Sequence, residues 1–280
     1  MSHKIYPYFN YLLSQFEHQN SAVEISFGRH VHWGYWQDPL SASVNHEDYA
    51  GAAENLTRKI CTIADIRDNQ SILDAGCGFG GTIAHINENY QGMNLIGVNI
   101  DKRQLDRAEK LVHAEPGNNI TFTEADACKF GYNDFHFDRI LAVECIFHFS
   151  SREKFFEQSH HLLKAGGSLT LSDFIPATFF LPIAWLLSVR PIQKFSFFGG
   201  CNIKYTLNKY KNLADKYGFE MMANDITIHT LPTYDYLETI LRSSTNSAYM
   251  RLIANVTLRV TQYISRHGFL RYQILNFKKL

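Results

Sequence analysis

Residues Ile72–Gly81 read ILDAGCGFGG, and this stretch decides the fold. Two apolar residues lead into Asp74, and then Gly76, Gly78, Gly80 and Gly81 crowd a single turn. An apolar strand that stops at an acid and passes through a glycine-dense turn into a helix builds a nucleotide-cofactor site. Glycine accepts positive φ, and its bare backbone lets a ligand come close. The helix expected over roughly 81–90 directs its amide-rich N-terminus at that ligand.

Outward from the turn, strand and helix patterns alternate. Strands are expected at 71–75, 95–99, 119–125, 137–143, 168–174, 221–229 and 270–278. Asp101 with Gln104 forms a capping-box pattern ahead of one helix, which ends before Pro116-Gly117. Ser150 with Glu153 starts another, and Gly166-Gly167 stops it. An amphipathic helix is expected over 206–217, ended by Gly218, and a helical stretch over 233–266 with a break near 243–247. The pattern predicts an α/β, Rossmann-like, doubly wound and mostly parallel seven-stranded sheet, with a helical N-terminal lid and inserted lid segments. It predicts one domain over 1–280: a lid (1–70), a cofactor-binding core (71–174), an apolar insert (175–205), and C-terminal strands with lid helices (206–280). Ligands of such sheets bind beyond the carboxyl ends of the strands, where the glycine turn lies.

The chain has 280 residues, 27 basic and 27 acidic. No run of Lys or Arg exceeds two, so nucleic acid is not an expected partner. The five cysteines (Cys61, Cys77, Cys128, Cys145, Cys201) form no C-x-x-C pair, which points away from zinc or a disulfide framework and toward a reducing cytoplasm. No secretory leader is evident at the N-terminus. Phe174–Val189 (FIPATFFLPIAWLLSV) carries no charge over sixteen residues, but it is short of the ~18–20 needed to span a bilayer, and Pro176 and Pro182 interrupt it. A buried or lid segment is the plain expectation for it; weak membrane contact, or contact with a greasy substrate, is the sharper one. Oligomeric state is not readable.

Gly76, Gly78 and Gly81 also satisfy G-x-G-x-x-G, the dinucleotide fingerprint of dehydrogenases. Asp74 argues against that reading, because it sits where an NAD-binding strand usually stays apolar. The loop resembles motif I of the class I S-adenosylmethionine (SAM) methyltransferases. His30–Trp36, HVHWGYW, resembles the H-W-G-Y-W signature of the sterol, tocopherol and natural-product members of that family. By itself the second stretch reads as a tightly packed lid hinge. With no carboxylate or cysteine grouped beside the two histidines, no metal is expected.

The resemblance covers nearly the whole chain and implies a SAM cofactor, with S-adenosylhomocysteine (SAH) as product. It places Asp74, Gly76, Gly78 and Gly80 around the donor, and lays Tyr35 and Trp36 over the sulfonium and the methionine end. Aromatic faces tolerate a cation, and excluding water protects a reactive methyl donor. Asn99 stands where the family usually has an acid for the ribose. Its amide oxygen can still accept from a hydroxyl, and Gln104 on the next helix can reach the same group. Asp126 with the backbone of Ala127 resembles the adenine-binding corner, and Ile100 and Val143 fall at the same strand ends. Asp101 and Asp126 also have plain structural roles, as a helix cap and a loop cap.

Methyl transfer is an in-line displacement, so the protein must mainly position the nucleophile and take its proton. Glu144–His148 (ECIFH) resembles the family's E-x-x-x-H segment, with His148 as base and Glu144 as the competing base. Asp173, on the next strand, is expected to orient His148 or to bind substrate. The expected reaction is methylation of a hydroxyl on a small, largely apolar natural product, whether phenolic, polyketide-derived or glycosidic. Its rivals are C-methylation of an alkene, prenyl or sterol-like acceptor, and SAM binding without catalysis. A prenyl diphosphate would need cations, and Arg190, Lys194 and Lys204 in the insert are the available ones.

Overall fold

The computed structural model describes residues 7–129, 136–183, 201–243 and 248–280. Seven strands form one sheet: β1 (Ser71–Ala75), β2 (Asn94–Asn99), β3 (Asn119–Glu124), β4 (Phe137–Val143), β5 (Leu163–Pro176), β6 (Phe219–Asp225) and β7 (Leu270–Lys279), in the order β3-β2-β1-β4-β5-β7-β6. All pairs are parallel except those of β7, which runs antiparallel to both β5 and β6. The expected mostly parallel seven-stranded sheet is therefore present. β1 is the third of the seven, and the order reverses between β1 and β4, so the rule for such sheets places a ligand beyond the end of β1.

Alternation along the strands feeds two cores. On β1, Ile72 joins Leu56, Ile60, Ile83 and Ile86 on one face, supplied by α3 (His46–Ile63) and α4 (Gly81–Asn89). Leu73 and Ala75 face the other side, toward Phe155 and Phe156 of α6 (Arg152–Leu162) and Tyr210 of α7 (Leu207–Tyr217). α5 (Lys102–Leu111) connects β2 to β3. A third cluster joins α1 (Pro7–Glu17), α2 (Ser21–Phe27) and α3 with Trp36, Phe79 and Tyr236. The N-terminal helices are therefore packed against the glycine turn itself, through Phe9 and Phe16 on Phe79.

Several boundaries differ from the sequence reading, each for a local reason. Gly166-Gly167 does not end a helix. α6 stops at Leu162, and the glycines lie inside β5, where Phe137 pairs with Leu163 and Arg139 already pairs with Ser168. The extra residues bulge out, with Gly166 at φ 71°. Ser151, not Ser150, caps α6, its side chain accepting from the Lys154 N–H. The expected strand over 221–229 starts earlier and ends at Asp225, and a helical turn, α8 (Thr227–Thr230), follows. α9 (Pro232–Ser243) and α10 (Ala248–Arg266) lie either side of 244–247, so the expected break falls outside the described residues.

One buried charged node ties β5, α6 and α7 to the active edge. Arg152 Nη2 donates to Asp173 Oδ2 (2.8 Å) and to the Asn202 carbonyl (2.9 Å), and its Nε donates to the Tyr210 hydroxyl (2.9 Å). The Tyr210 hydroxyl donates to the same Asp173 oxygen (2.5 Å), and the Phe174 N–H fills Oδ1 (2.8 Å). Asn202 N–H then donates to the Phe147 carbonyl (2.9 Å). Removing one member strands a buried charge. Arg152→Ala is therefore expected to lower unfolding stability in urea by ~3–5 kcal/mol, and a loss under ~1 kcal/mol would show the node to be dispensable.

Candidate active site

The carboxyl ends of β1, β2, β3, β4 and β5 lie side by side, and the core residues singled out above end or follow these strands, except Gln104, which lies in the first turn of α5. Asp74 pairs in register with Gly97 and Leu141, Asn99 with Glu124, and Val143 with Ser172. The glycine turn is pinned to β2, since the Gly76 and Cys77 N–H groups both donate to the Val98 carbonyl (2.8 and 3.1 Å). Gly78 is left-handed at φ 57°, and a Cβ there would meet nothing nearer than Val31 Cγ2 at 3.9 Å, so the turn is open on that side. Gly81 has the opposite surroundings. A Cβ would fall 2.4 Å from the Arg29 carbonyl and 2.5 Å from His30, because the 30–36 strap crosses directly over the start of α4. Gly80, the residue before that helix, provides no side-chain cap.

Asp74 is 1% exposed, and among the described residues neither of its carboxylate oxygens has a hydrogen-bond partner. Burial alone pushes its carboxyl up to about 7. A dry carboxylate beside a glycine turn and a bare helix N-terminus matches a ligand with an ammonium group at one end, such as the methionine portion of SAM.

Asn99 and Gln104 are brought together at the end of β2. Asn99 Nδ2 donates to Gln104 Oε1 (3.1 Å), and Asn99 Oδ1 accepts from the Asp101 N–H (3.2 Å). That second bond is why the expected capping box does not close. The Asp101 N–H is taken by Asn99, and Asp101 caps through the Arg103 N–H instead. A carbonyl oxygen has two lone pairs, so Asn99 Oδ1 retains one for a ribose hydroxyl. Ile100 is 37% exposed at this edge, and Ala127 is buried. Asp126 Oδ1 accepts from the Cys128 N–H (2.9 Å), so the loop-capping role is real and Oδ2 is the oxygen left for an exocyclic amine.

The strap is held by its backbone. Tyr35 N–H donates to the Ala52 carbonyl (2.8 Å), Trp36 N–H to the His229 carbonyl (2.9 Å), Gly34 N–H to Thr233 Oγ1 (3.2 Å), and Trp33 N–H to Glu144 Oε1 (2.7 Å). Its histidines are struts. His32 is bonded to Thr57 Oγ1 and the Trp33 carbonyl, and burial lowers it to about 3. His30 and His85 share Glu54 (2.6 and 2.5 Å). The two aromatic residues expected over the sulfonium have other partners. Trp36 donates its indole N–H to Asp48 (2.9 Å) and packs in the N-terminal cluster, and Tyr35 stacks on His229 (4.8 Å). The strap ring that reaches the active edge is Trp33, edge-on to Phe174 (4.8 Å). The sequence reading missed it, although it is the one strap aromatic one residue from the buried His32.

His148 lies in the single turn Ile146–His148 just past β4, half-buried, with Phe147 edge-on (4.5 Å) and Tyr8 of α1 stacked on it (6.3 Å). The expected Asp173 support is absent. That carboxylate is completely buried and filled by Arg152, Tyr210 and the Phe174 N–H, with burial raising its carboxyl and Arg152 pulling against that. Its reach to His148 is indirect, through Asn202 and Phe147. Glu144 is half-buried. Burial raises it to about 8, and Tyr272 and Trp33 donate to its Oε1. Sequence reading missed Arg152, Tyr210 and Tyr272, because each is separated from the acid it bonds, by 21, 37 and 128 residues.

A mostly parallel seven-stranded sheet with an acid at the end of β1 and a glycine turn directly after it is the arrangement expected above from the resemblance to SAM-dependent methyltransferases. Residues 72–167 match the family model described as a methyltransferase domain. The chain is 27% identical over 220 residues to the methyltransferase GfsG of Streptomyces halstedii, covering 78% of this chain and 76% of that one. It is 29% identical over 150 residues to the 27-O-demethylrifamycin SV methyltransferase of Amycolatopsis mediterranei, and spans about half of that relative's length (53% of each). Among solved structures it shares the fold of geranyl diphosphate C-methyltransferase from Streptomyces coelicolor, crystallised with Mg2+, geranyl diphosphate and SAH, at a TM-score of 0.69, 13% identity and 98% coverage of both chains. Residues 72–167 are thus a methyltransferase domain, and the chain is a SAM-dependent methyltransferase with SAM as its methyl donor.

The Asp74 environment carries a pH signature. The ligand-free carboxyl titrates near 7, whereas pairing with an ammonium requires the ionised form, so at lower pH a proton must leave on binding. SAH affinity measured by calorimetry is expected to be flat above about pH 8 and to weaken toward ~10-fold per pH unit below 7. Asp74→Asn is expected to bind weakly and lose that slope; an unchanged slope in the variant would remove Asp74 from the site.

Proposed function

We propose that this enzyme methylates a hydroxyl of a small, largely apolar natural product, with His148 as the base. One observation carries the reading: His148 is the sole imidazole at the carboxyl edge of β4 among the described residues, and aromatic rings surround it. Tyr8 and Phe147 flank it, and Phe174 and Trp33 continue the wall from Phe147. Such a lining takes an apolar or aromatic acceptor, and a half-exposed imidazole inside it can receive the proton of a hydroxyl.

SAM supplies an electrophilic methyl group that needs no further activation. The chain's part is to hold the acceptor in line, exclude water beneath the strap and remove the proton. Asp173, whose carboxylate belongs to Arg152 and Tyr210, then acts as a positioning group for the turn that carries His148. Asp74, Gly76, Gly78 and Gly80 receive the methionine portion, Asn99 and Gln104 the ribose, and Asp126 with Ala127 the adenine, bordered by Ile100 and Val143. Tyr35 and Trp36 serve the donor by fixing the strap rather than by covering the sulfonium. The rifamycin relative's name, with its O-demethyl substrate, favours oxygen as the acceptor atom.

A second reading rests on the aromatic wall itself, which also suits the carbocation of alkene C-methylation, the chemistry named for the geranyl diphosphate neighbour. Of the cations that would meet a diphosphate, Arg190 and Lys194 lie outside the described residues. The same holds for 184–189, the second part of the segment considered for membrane contact; Phe179 and Ile183 of its first part are 70% and 51% exposed. No helix among the described residues is long and apolar enough to cross a membrane. The free thiols support a cytoplasmic site of action.

Label from methyl-labelled SAM, traced by mass spectrometry over a panel of phenols, polyketide alcohols and prenyl alkenes, is expected on oxygen; label on carbon would favour the second reading. With an accepted hydroxyl substrate, His148→Ala is expected to lower turnover ~100-fold or more at neutral pH while SAH affinity stays within ~2-fold. Full turnover in that variant would exclude His148 as the base.

A further inference from the structure

Glu144 occupies a conformation that its side chain alone does not explain. It is a non-glycine residue with φ 48°, at the carboxyl end of β4 and four residues before His148. The left-handed region disfavours any residue with a Cβ, so surrounding contacts must hold it there. They do so from three directions. Its N–H donates to Ser172 Oγ of β5 (3.0 Å), and its Oε1 accepts from the Tyr272 hydroxyl of β7 (2.5 Å) and from the Trp33 N–H of the strap (2.7 Å). Tyr272 and Ser172 are themselves in contact (3.2 Å), which closes a ring from β4 through β5 and β7 back to the same residue.

We propose that Glu144 is a positioning residue, whose carboxyl group fastens the strap to the active edge through Trp33 and to β7 through Tyr272, and that it does not serve as the base. This deepens the methyltransferase reading of the site and rests on it. The other backbone bonds of the strap run outward, to α3, α8 and α9. The bond from Trp33 to Glu144 is the one that joins it to the strand end beside the turn of His148. Trp33 in turn carries its ring against Phe174 and Tyr272. Oε1 is filled by two donors, so a proton on the carboxyl group sits on Oε2. Burial raises the group to about 8, and at pH 7 it is mostly neutral, the form that accepts these two bonds without a buried charge and that cannot take a proton. Glutamine reproduces the neutral group, whereas glycine deletes it and relieves the left-handed backbone.

The test uses the full chain, with SAH as the ligand and hydrogen exchange of the 30–36 amides as a readout independent of turnover. In the wild type the Trp33 amide is expected to be protected; a freely exchanging amide there would overturn the clamp without any variant. Glu144→Gly is expected to speed Trp33 exchange and to weaken SAH binding, each by ~10-fold or more, while Glu144→Gln stays within ~3-fold of wild type on both. The proposal is overturned if Glu144→Gly leaves both readouts unchanged, or if the glutamine variant is as damaged as the glycine one. It is also overturned if Glu144→Gln keeps SAH binding but abolishes methylation of an acceptor that the wild type uses, which would make Glu144 the base. Failure of the wild type to bind SAH would count against the donor site, and the exchange of Trp33 would still decide the clamp.

Discussion

A carboxylate with no donor in reach among the described residues, shut into the end of β1, is the constraint around which the rest of this structure is arranged. Asp74 is destabilising as it stands, because burial disfavours its charged form and nothing among the described residues compensates. The glycine turn, the bare start of α4 and the strap over both all surround this group. The arrangement becomes favourable when a cation enters. The sign of its pH dependence follows. A folded-state value near 7 lies above the unfolded 3.8, so the ligand-free fold loses stability as pH rises from about 4 to 7, the range over which cofactor binding gains.

A second carboxyl group, Glu144, lies on the neighbouring strand and is raised further, to about 8, but it differs in kind. It has two donors, and it is bonded where the strap meets the sheet. One acid is therefore without a partner among the described residues, and the other is bonded to the strap and to β7. Asp173 is a third case, fully engaged by Arg152 and Tyr210. Three acids at the carboxyl edge of β1, β4 and β5 thus sit in three different environments, set by the partners that the fold brings to each.

The sheet was legible because its signals are local. Period-two apolar runs, the glycine turn after Asp74 and the glycine after α7 each specify their own element. The strand-end residues were legible for the same reason, since topology alone brings Asn99, Asp126 and His148 to one edge. Partnerships across the chain were not legible. Arg152 and Asp173 are 21 residues apart and Tyr272 and Glu144 128, and no periodicity links either pair. The strap shows the limit most clearly: HVHWGYW marks a packed, functional stretch, yet only the neighbours of each ring determine that Trp33 faces the active edge while Trp36 turns to Asp48.

The central claim is that an adenosyl donor rests between Asp74 and Asp126 with its sulfur directed toward His148. A crystal structure of the full chain with SAH tests it most directly. The amino group of SAH is expected within hydrogen-bond distance of Asp74, its adenine at Asp126 and Ala127, and the His148 ring lining the space beyond sulfur. SAH bound elsewhere, or an imidazole turned into the hydrophobic interior, would contradict it.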